Sequence, residues 1–72
     1  MDNMEHIKAC KEMLKESASK INMIIDLKEY NTGKLKGIEI LLRDKQGYLI
    51  YKNYDDVSNM LGFIKGYQYN LK

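Results

Sequence analysis

The residues best suited to chemistry in this sequence are a histidine and a cysteine near its N-terminus. His6 and Cys10 are four positions apart, so in a helix their side chains lie on the same face. There they could supply two zinc ligands or a thiolate–imidazole pair. The chain has no further cysteine or histidine, so a zinc site would require a second copy of the chain. We instead expect Cys10 to be a small apolar residue, and we predict no metal and no cofactor.

The acidic residues follow patterns that structure explains without catalysis. Asp55 and Asp56 precede an apolar helical segment, where carboxylates stabilise the first turn of a helix. Glu12 and Glu16 are four apart among lysines, which is typical of a solvent-exposed helix face. No glycine-rich phosphate loop and no His-Glu-x-x-His motif occurs. We therefore predict that the protein is not an enzyme.

Most of the six tyrosines lie in the C-terminal half, among lysines. Tyrosine suits a protein interface because it adds contact area at low entropic cost. It also suits single-stranded nucleic acid, where bases stack on rings and lysines contact phosphates. For protein binding we predict the anchors Leu41, Leu49, Tyr51, Tyr67 and Tyr69. For the nucleic-acid alternative we predict the contacts Lys34, Lys36, Arg43, Lys45 and Lys52.

Length and composition restrict the class of protein. With 72 residues, 44% hydrophobic and 31% charged, residues 1–72 form one domain and are too apolar for a disordered tail. Twelve basic and ten acidic residues give a net charge of +2, too small to select a partner by long-range attraction. The longest apolar run, Tyr48–Tyr51, is too short to cross a bilayer. Because the first residues are acidic and unlike a signal peptide, we expect a cytoplasmic protein without membrane contact.

The first 32 residues contain no glycine or proline and follow a helical pattern. Their apolar residues recur at three- and four-residue spacing, which predicts one long amphipathic helix. A short chain without crosslinks leaves apolar area that it cannot bury alone, so we expect a homodimer, formed through this helix or edge to edge across strands. The predicted self-association residues are Ile7, Cys10, Leu14, Ile21 and Ile24. Residues 21–30 also alternate as a strand would, which gives the alternative element order α-β-β-β-α.

From Gly37 onward the apolar period changes to two, which predicts an antiparallel hairpin. Asp44–Gly47 has the composition of a type I turn closed by a left-handed glycine. This turn would place Leu41 opposite Tyr51. Both faces of such a hairpin are apolar, so helices would cover one face and the other would need a cover of its own.

The hairpin is followed by a second helical pattern. Apolar residues within 57–64 have helical spacing, and Gly66 is the predicted end of the helix. We therefore predict an α+β domain that consists of a long N-terminal helix, an antiparallel β-hairpin and a shorter C-terminal helix.

The sequence lacks a catalytic motif and has a surplus of apolar and tyrosine side chains. We therefore predict a small non-enzymatic protein-binding module, an inhibitor or adaptor that blocks the surface of a partner protein. Its lysine, isoleucine, asparagine and tyrosine content is typical of AT-rich coding, which suggests a phage or another mobile element. The alternative is nucleic-acid binding by the basic C-terminal half. The α-β-β-β-α order would match a double-stranded-RNA-binding domain, but the stretch Asn53–Asp56 at the start of the last helix is acidic and would repel the phosphates that such a domain binds there.

Overall fold

The computed structural model describes residues 3–70, which form three helices and three strands. The elements are α1 (Asn3–Ala9), α2 (Lys11–Ser19), β1 (Met23–Asn31), β2 (Lys36–Asp44), β3 (Leu49–Tyr54) and α3 (Val57–Asn70). The strands make one antiparallel sheet in the order β1-β2-β3. The α+β class is confirmed, and the element order is the α-β-β-β-α alternative, with the first helix in two pieces.

The core lies between the helices and one face of the sheet, which we call the covered face. Successive strand residues point to opposite faces, so alternate residues of each strand point toward the helices. The fully buried large side chains are Ile7 and Leu14 from the N-terminal helices, Ile38, Ile40 and Leu42 from β2, and Met60 and Ile64 from α3. The helix layer and the sheet are therefore held together by one apolar core.

The N-terminal helical segment is shorter than predicted. It is interrupted at Cys10 (φ −88°, ψ 0°), whose N–H is shared between the carbonyls of His6 and Ile7 at 3.1 Å each. After Ser19 the chain turns at Asn22, which has a φ of 58°, a left-handed conformation that asparagine tolerates better than most residues.

The prediction that helix continues through residues 21–30 is wrong, because this segment forms β1. Met23 and Ile25 are buried on the covered face, whereas Ile24 is 46% exposed. In a helix, these three consecutive residues would point in different directions and could not share one buried face. In a strand, Met23 and Ile25 point to the same face and are buried against the helices. Gly33 (φ 89°) consequently lies in the turn between β1 and β2.

The hairpin between β2 and β3 has the predicted turn but a different register. Gly47 has a φ of 94° and its N–H donates to the Asp44 carbonyl at 3.0 Å, which confirms the turn. A register shift then pairs Leu42 with Tyr51 and Leu41 with Lys52. The predicted pairing of Leu41 with Tyr51 is wrong, because a β-bulge adds one residue to β3 and moves every later residue to the opposite face.

The C-terminal helix is longer than predicted. α3 continues through Gly66 to Asn70, because a glycine inside a helix costs only about 1 kcal/mol relative to alanine. Its start is capped as expected of an acidic entrance, since Asp56 Oδ1 accepts the Asn59 N–H at 2.9 Å. None of the helices in the part of the chain that the structure describes is long and apolar enough to cross a membrane.

Candidate protein-interaction surface

The second face of the sheet, which we call the outer face, points away from the helices. The strand register assigns its side chains. They are Ile24, Asp26, Lys28 and Tyr30 from β1, Glu39, Leu41 and Arg43 from β2, and Leu49, Lys52 and Tyr54 from β3. The core residues packed by the helices all lie on the other side, so the outer face is the one that the sequence predicted to need a cover.

Several apolar side chains of the outer face remain about half exposed. Ile24 is 46% exposed, Leu49 45% and Tyr54 55%, and the bulge residue Ile50 is 39% exposed. Leu41 differs, since it lies on the middle strand and is only 5% exposed. The nearest neighbours of Leu41 on this face are charged, and the accessible apolar groups lie beyond them on the two edge strands.

Charged side chains alternate with the apolar ones. Arg43 Nε lies 3.2 Å from Asp26 Oδ2, and Arg43 Nη1 donates to the Gly47 carbonyl at 3.1 Å. Lys52 Nζ lies 6.0 Å from the centre of the Tyr54 ring. Three cations and two anions are interleaved across the face, so it presents mixed charge and no basic stripe.

One end of the outer face is closed by a hydrogen-bonded cluster around Asp55. The Tyr30 hydroxyl donates to Asp55 Oδ2 at 2.6 Å, and the Ile38 N–H donates to Asp55 Oδ1 at 2.7 Å. The Asp55 N–H donates in return to the Ile38 carbonyl at 2.9 Å. Asp55 therefore holds the start of α3 against the sheet, a role that its position before a helix did not reveal.

Two further features depend on this cluster. The hydrogen bond to Asp55 raises the pKa of Tyr30 above its usual value, with desolvation and the nearby carboxylate charge adding to the effect. A Cβ atom on Gly37 would lie 2.5 Å from the Asp55 carboxylate oxygens and from the Tyr30 hydroxyl. Gly37 is thus required by close approach, and Tyr54 completes the cluster with an edge-to-face contact to Tyr30 at 5.6 Å.

The predicted protein-binding anchors do not form a single surface. Leu41 and Leu49 are on the outer face, but Tyr51 is on the covered face, where its ring stacks on Phe63 at 4.3 Å. Its hydroxyl donates to Asn59. Tyr67 and Tyr69 are exposed near the end of α3. The bulge separates Tyr51 from the other sheet anchors, and sequence alternation did not reveal the bulge.

The predicted self-association residues also separate. Ile7, Leu14 and Ile21 are buried in the core of a single chain, and Cys10 is half-buried beside it. Ile24 is on the outer face because residues after Asn22 form a strand. These five residues therefore offer no common exposed surface.

The predicted nucleic-acid contacts are spread over the sheet. Lys34 and Lys36 are near the turn between β1 and β2, whereas Lys45 is in the turn at the opposite end of β2. At about 3.4 Å per residue, Lys36 and Lys45 are about 30 Å apart. Only Arg43 and Lys52 share the outer face, and Arg43 is already bound to Asp26.

The histidine–cysteine pair forms as the helical spacing predicts. Cys10 Sγ and His6 Nε2 are 3.9 Å apart in an exposed part of the N-terminal helices. Among residues 3–70, no group of three or more histidine, cysteine, aspartate or glutamate side chains is arranged to hold a metal ion.

Fold and surface together define a small two-layer α+β protein, with helices on one face of a three-stranded antiparallel sheet and the other face open. Comparison of the chain with protein-family models, curated proteins and solved structures finds no match.

Proposed function

We propose that the chain is a non-enzymatic protein-binding module whose outer face docks on a partner protein. The observation that carries this proposal is the exposure of its apolar side chains. Ile24, Leu49, Ile50 and Tyr54 are 39 to 55% exposed, whereas the apolar residues of the middle strand β2 are buried. Apolar groups grouped on one open face, with polar groups between them, are typical of interaction sites.

The charge of the outer face supports a protein partner over a nucleic acid. Arg43 is paired with Asp26, and Glu39 lies directly between Lys28 and Tyr54 in the register. Such mixed charge complements a protein surface of mixed character. Neutralising several phosphates requires a continuous set of cations, which these residues do not make.

The mechanism would be occlusion, because a docked sheet prevents other molecules from reaching the partner's surface. The chain would act as an inhibitor or adaptor in the cytoplasm. On the basis of its composition, we propose that a phage or another mobile element encodes the chain. We also propose that the chain forms a homodimer.

The test compares two leucine-to-lysine variants in a binding assay. Leu49→Lys places a charge on the outer face, whereas Leu35→Lys changes a residue that is 65% exposed in the turn between β1 and β2. Immobilised protein is exposed to an extract of the source cells, with nuclease in one arm. We expect a captured protein that Leu49→Lys loses, Leu35→Lys retains and nuclease does not release, with circular dichroism confirming that both variants fold.

The same assay separates the nucleic-acid alternative. Release by nuclease, or a steep loss of binding between about 50 and 200 mM salt, would show that phosphates are bound. Equal capture by both variants would contradict docking through the outer face.

A further inference from the structure

The two edges of the sheet differ in how well they are protected from pairing. β3 has six residues and contains the bulge, and short, bulged edge strands resist pairing with another chain. β1 has nine residues and pairs with β2 without a register shift. A long, regular edge strand is a ready template for another strand.

The hydrogen-bond pattern shows which residues of β1 face its open edge. The Thr32 N–H donates to the Leu35 carbonyl at 2.9 Å, so these two residues form a hydrogen-bonded pair. Ile38 is the register partner of Glu29. The backbone N–H and C=O of Ile38 point the other way, toward β3, where both are bonded to Asp55. Hydrogen-bonded pairs alternate along an antiparallel ladder. The backbone groups of Ile25, Leu27 and Glu29 therefore point away from β2.

The sequence of β1 is complementary to itself when two copies run antiparallel around Leu27. In that register Asp26 lies opposite Lys28 of the second copy, and the two-fold axis repeats this pair. Ile24 lies opposite Tyr30 of the second copy. Opposite charges and aromatic–β-branched pairs both stabilise adjacent strands. Among residues 3–70 no ion pair of Lys28 is found, and the one ion pair of Asp26 is with Arg43.

Neighbouring registers that keep the same hydrogen-bond pattern lack this complementarity. Moving the two-fold axis by one residue toward the N-terminus places Asp26 opposite Asp26 of the second copy. Moving it one residue the other way places Lys28 opposite Lys28. Like charges directly opposite each other destabilise a strand pair, so the charge pattern selects the register centred on Leu27.

We infer that two copies of this chain join through their β1 edges, in an antiparallel register centred on Leu27, to make a six-stranded sheet. This inference rests on the homodimer proposed above and is independent of docking by the outer face. The pairing puts the helices of both copies on the same side of the sheet. It also joins the two outer faces into one surface.

Charge reversal tests the pairing by sedimentation equilibrium. Lys28→Glu and Asp26→Lys each turn two attractive pairs into repulsive ones, and we expect each to weaken dimerisation about tenfold or more. A mixture of the two variants pairs opposite charges at every position, so it should form heterodimers with about wild-type affinity. Lys34→Glu makes the same charge change in the turn after β1 and should leave dimerisation unchanged.

Cysteine crosslinking tests the register in a Cys10→Ser background. Paired Cα atoms about 5.5 Å apart are within reach of a disulfide, so oxidised glutathione should crosslink Leu27→Cys chains to each other. Asp26→Cys and Lys28→Cys should crosslink less. Preferred crosslinking at position 26 or 28 would overturn the register while leaving a homodimer. A monomer at every micromolar concentration would overturn the inference altogether, whatever the outer face binds.

Discussion

The two faces of the sheet use the same strands but reach very different degrees of burial. On the covered face, Ile38, Ile40 and Leu42 are no more than 1% exposed, whereas Ile24 and Leu49 on the outer face are about half exposed. All five are isoleucine or leucine. Their burial therefore depends on position and not on residue type. The helices bury the covered face, a place on the middle strand buries Leu41, and the edge strands of the outer face keep apolar area available for another molecule.

The largest expected effect that tests this difference is at the covered face. Ile40→Ala removes a fully buried side chain and should lower the free energy of unfolding by about 3 kcal/mol. The measurement is urea denaturation followed by circular dichroism. Because that loss could unfold so small a domain, Ile40→Val serves as a milder variant with an expected loss of about 1 kcal/mol. A loss below a few tenths of a kcal/mol for Ile40→Val would contradict the burial of this face.

A smaller effect is expected where the outer face is closed by the Asp55 cluster. Gly37→Ala would push a methyl group against the Asp55 carboxylate and the Tyr30 hydroxyl, and we expect a destabilisation of about 1–3 kcal/mol. The matched control is Gly62→Ala, which meets no atom within 4 Å on α3. This control should stabilise the protein by about 0.5–1 kcal/mol. Equal effects of the two variants in thermal melts would refute the close approach at Gly37.

The pH dependence of stability tests the hydrogen bond between Tyr30 and Asp55 in the same cluster. The fold raises the pKa of Tyr30 above 10.0 because its hydroxyl donates to Asp55, so the fold favours protonated tyrosine. This contribution is fully present below pH 10 and is lost as pH rises through the folded-state pKa. Unfolding midpoints measured between about pH 8 and 11 should fall more steeply for the wild type than for Tyr30→Phe. Parallel curves for the two proteins would indicate that the hydrogen bond does not form in solution.

The smallest expected effect is on the open part of the outer face. Ile24→Ala removes a side chain that is nearly half exposed, so the free energy of unfolding should change by no more than about 0.5 kcal/mol. Urea denaturation under the conditions used for Ile40→Ala gives the comparison directly. A loss similar to that of Ile40→Ala would mean that Ile24 is already covered, by its own chain or by a second copy.

Local patterns predicted the hairpin turn, the acidic start of α3 and the existence of an uncovered face. Each of these depends on a few adjacent residues, such as the glycine with positive φ at position 47. The helix prediction for residues 21–30 fails because Ile24 fits the helical spacing and is the one apolar residue that breaks the strand alternation of this segment. Tyr51 was assigned to the wrong face because a single extra residue in β3 reverses the alternation.

The sequence alone determined the α+β class. An apolar period of 3.6 residues buries one face of a helix, whereas a period of two residues buries one face of a strand. The sequence also determined the near-neutral charge and the surplus of apolar residues. Tertiary structure decided which of the two fitting patterns residues 21–30 adopt, which sheet face the helices cover and which carboxylate Tyr30 binds. Those outcomes depend on contacts between residues that are far apart in the chain. Local propensity does not include the energies of such contacts.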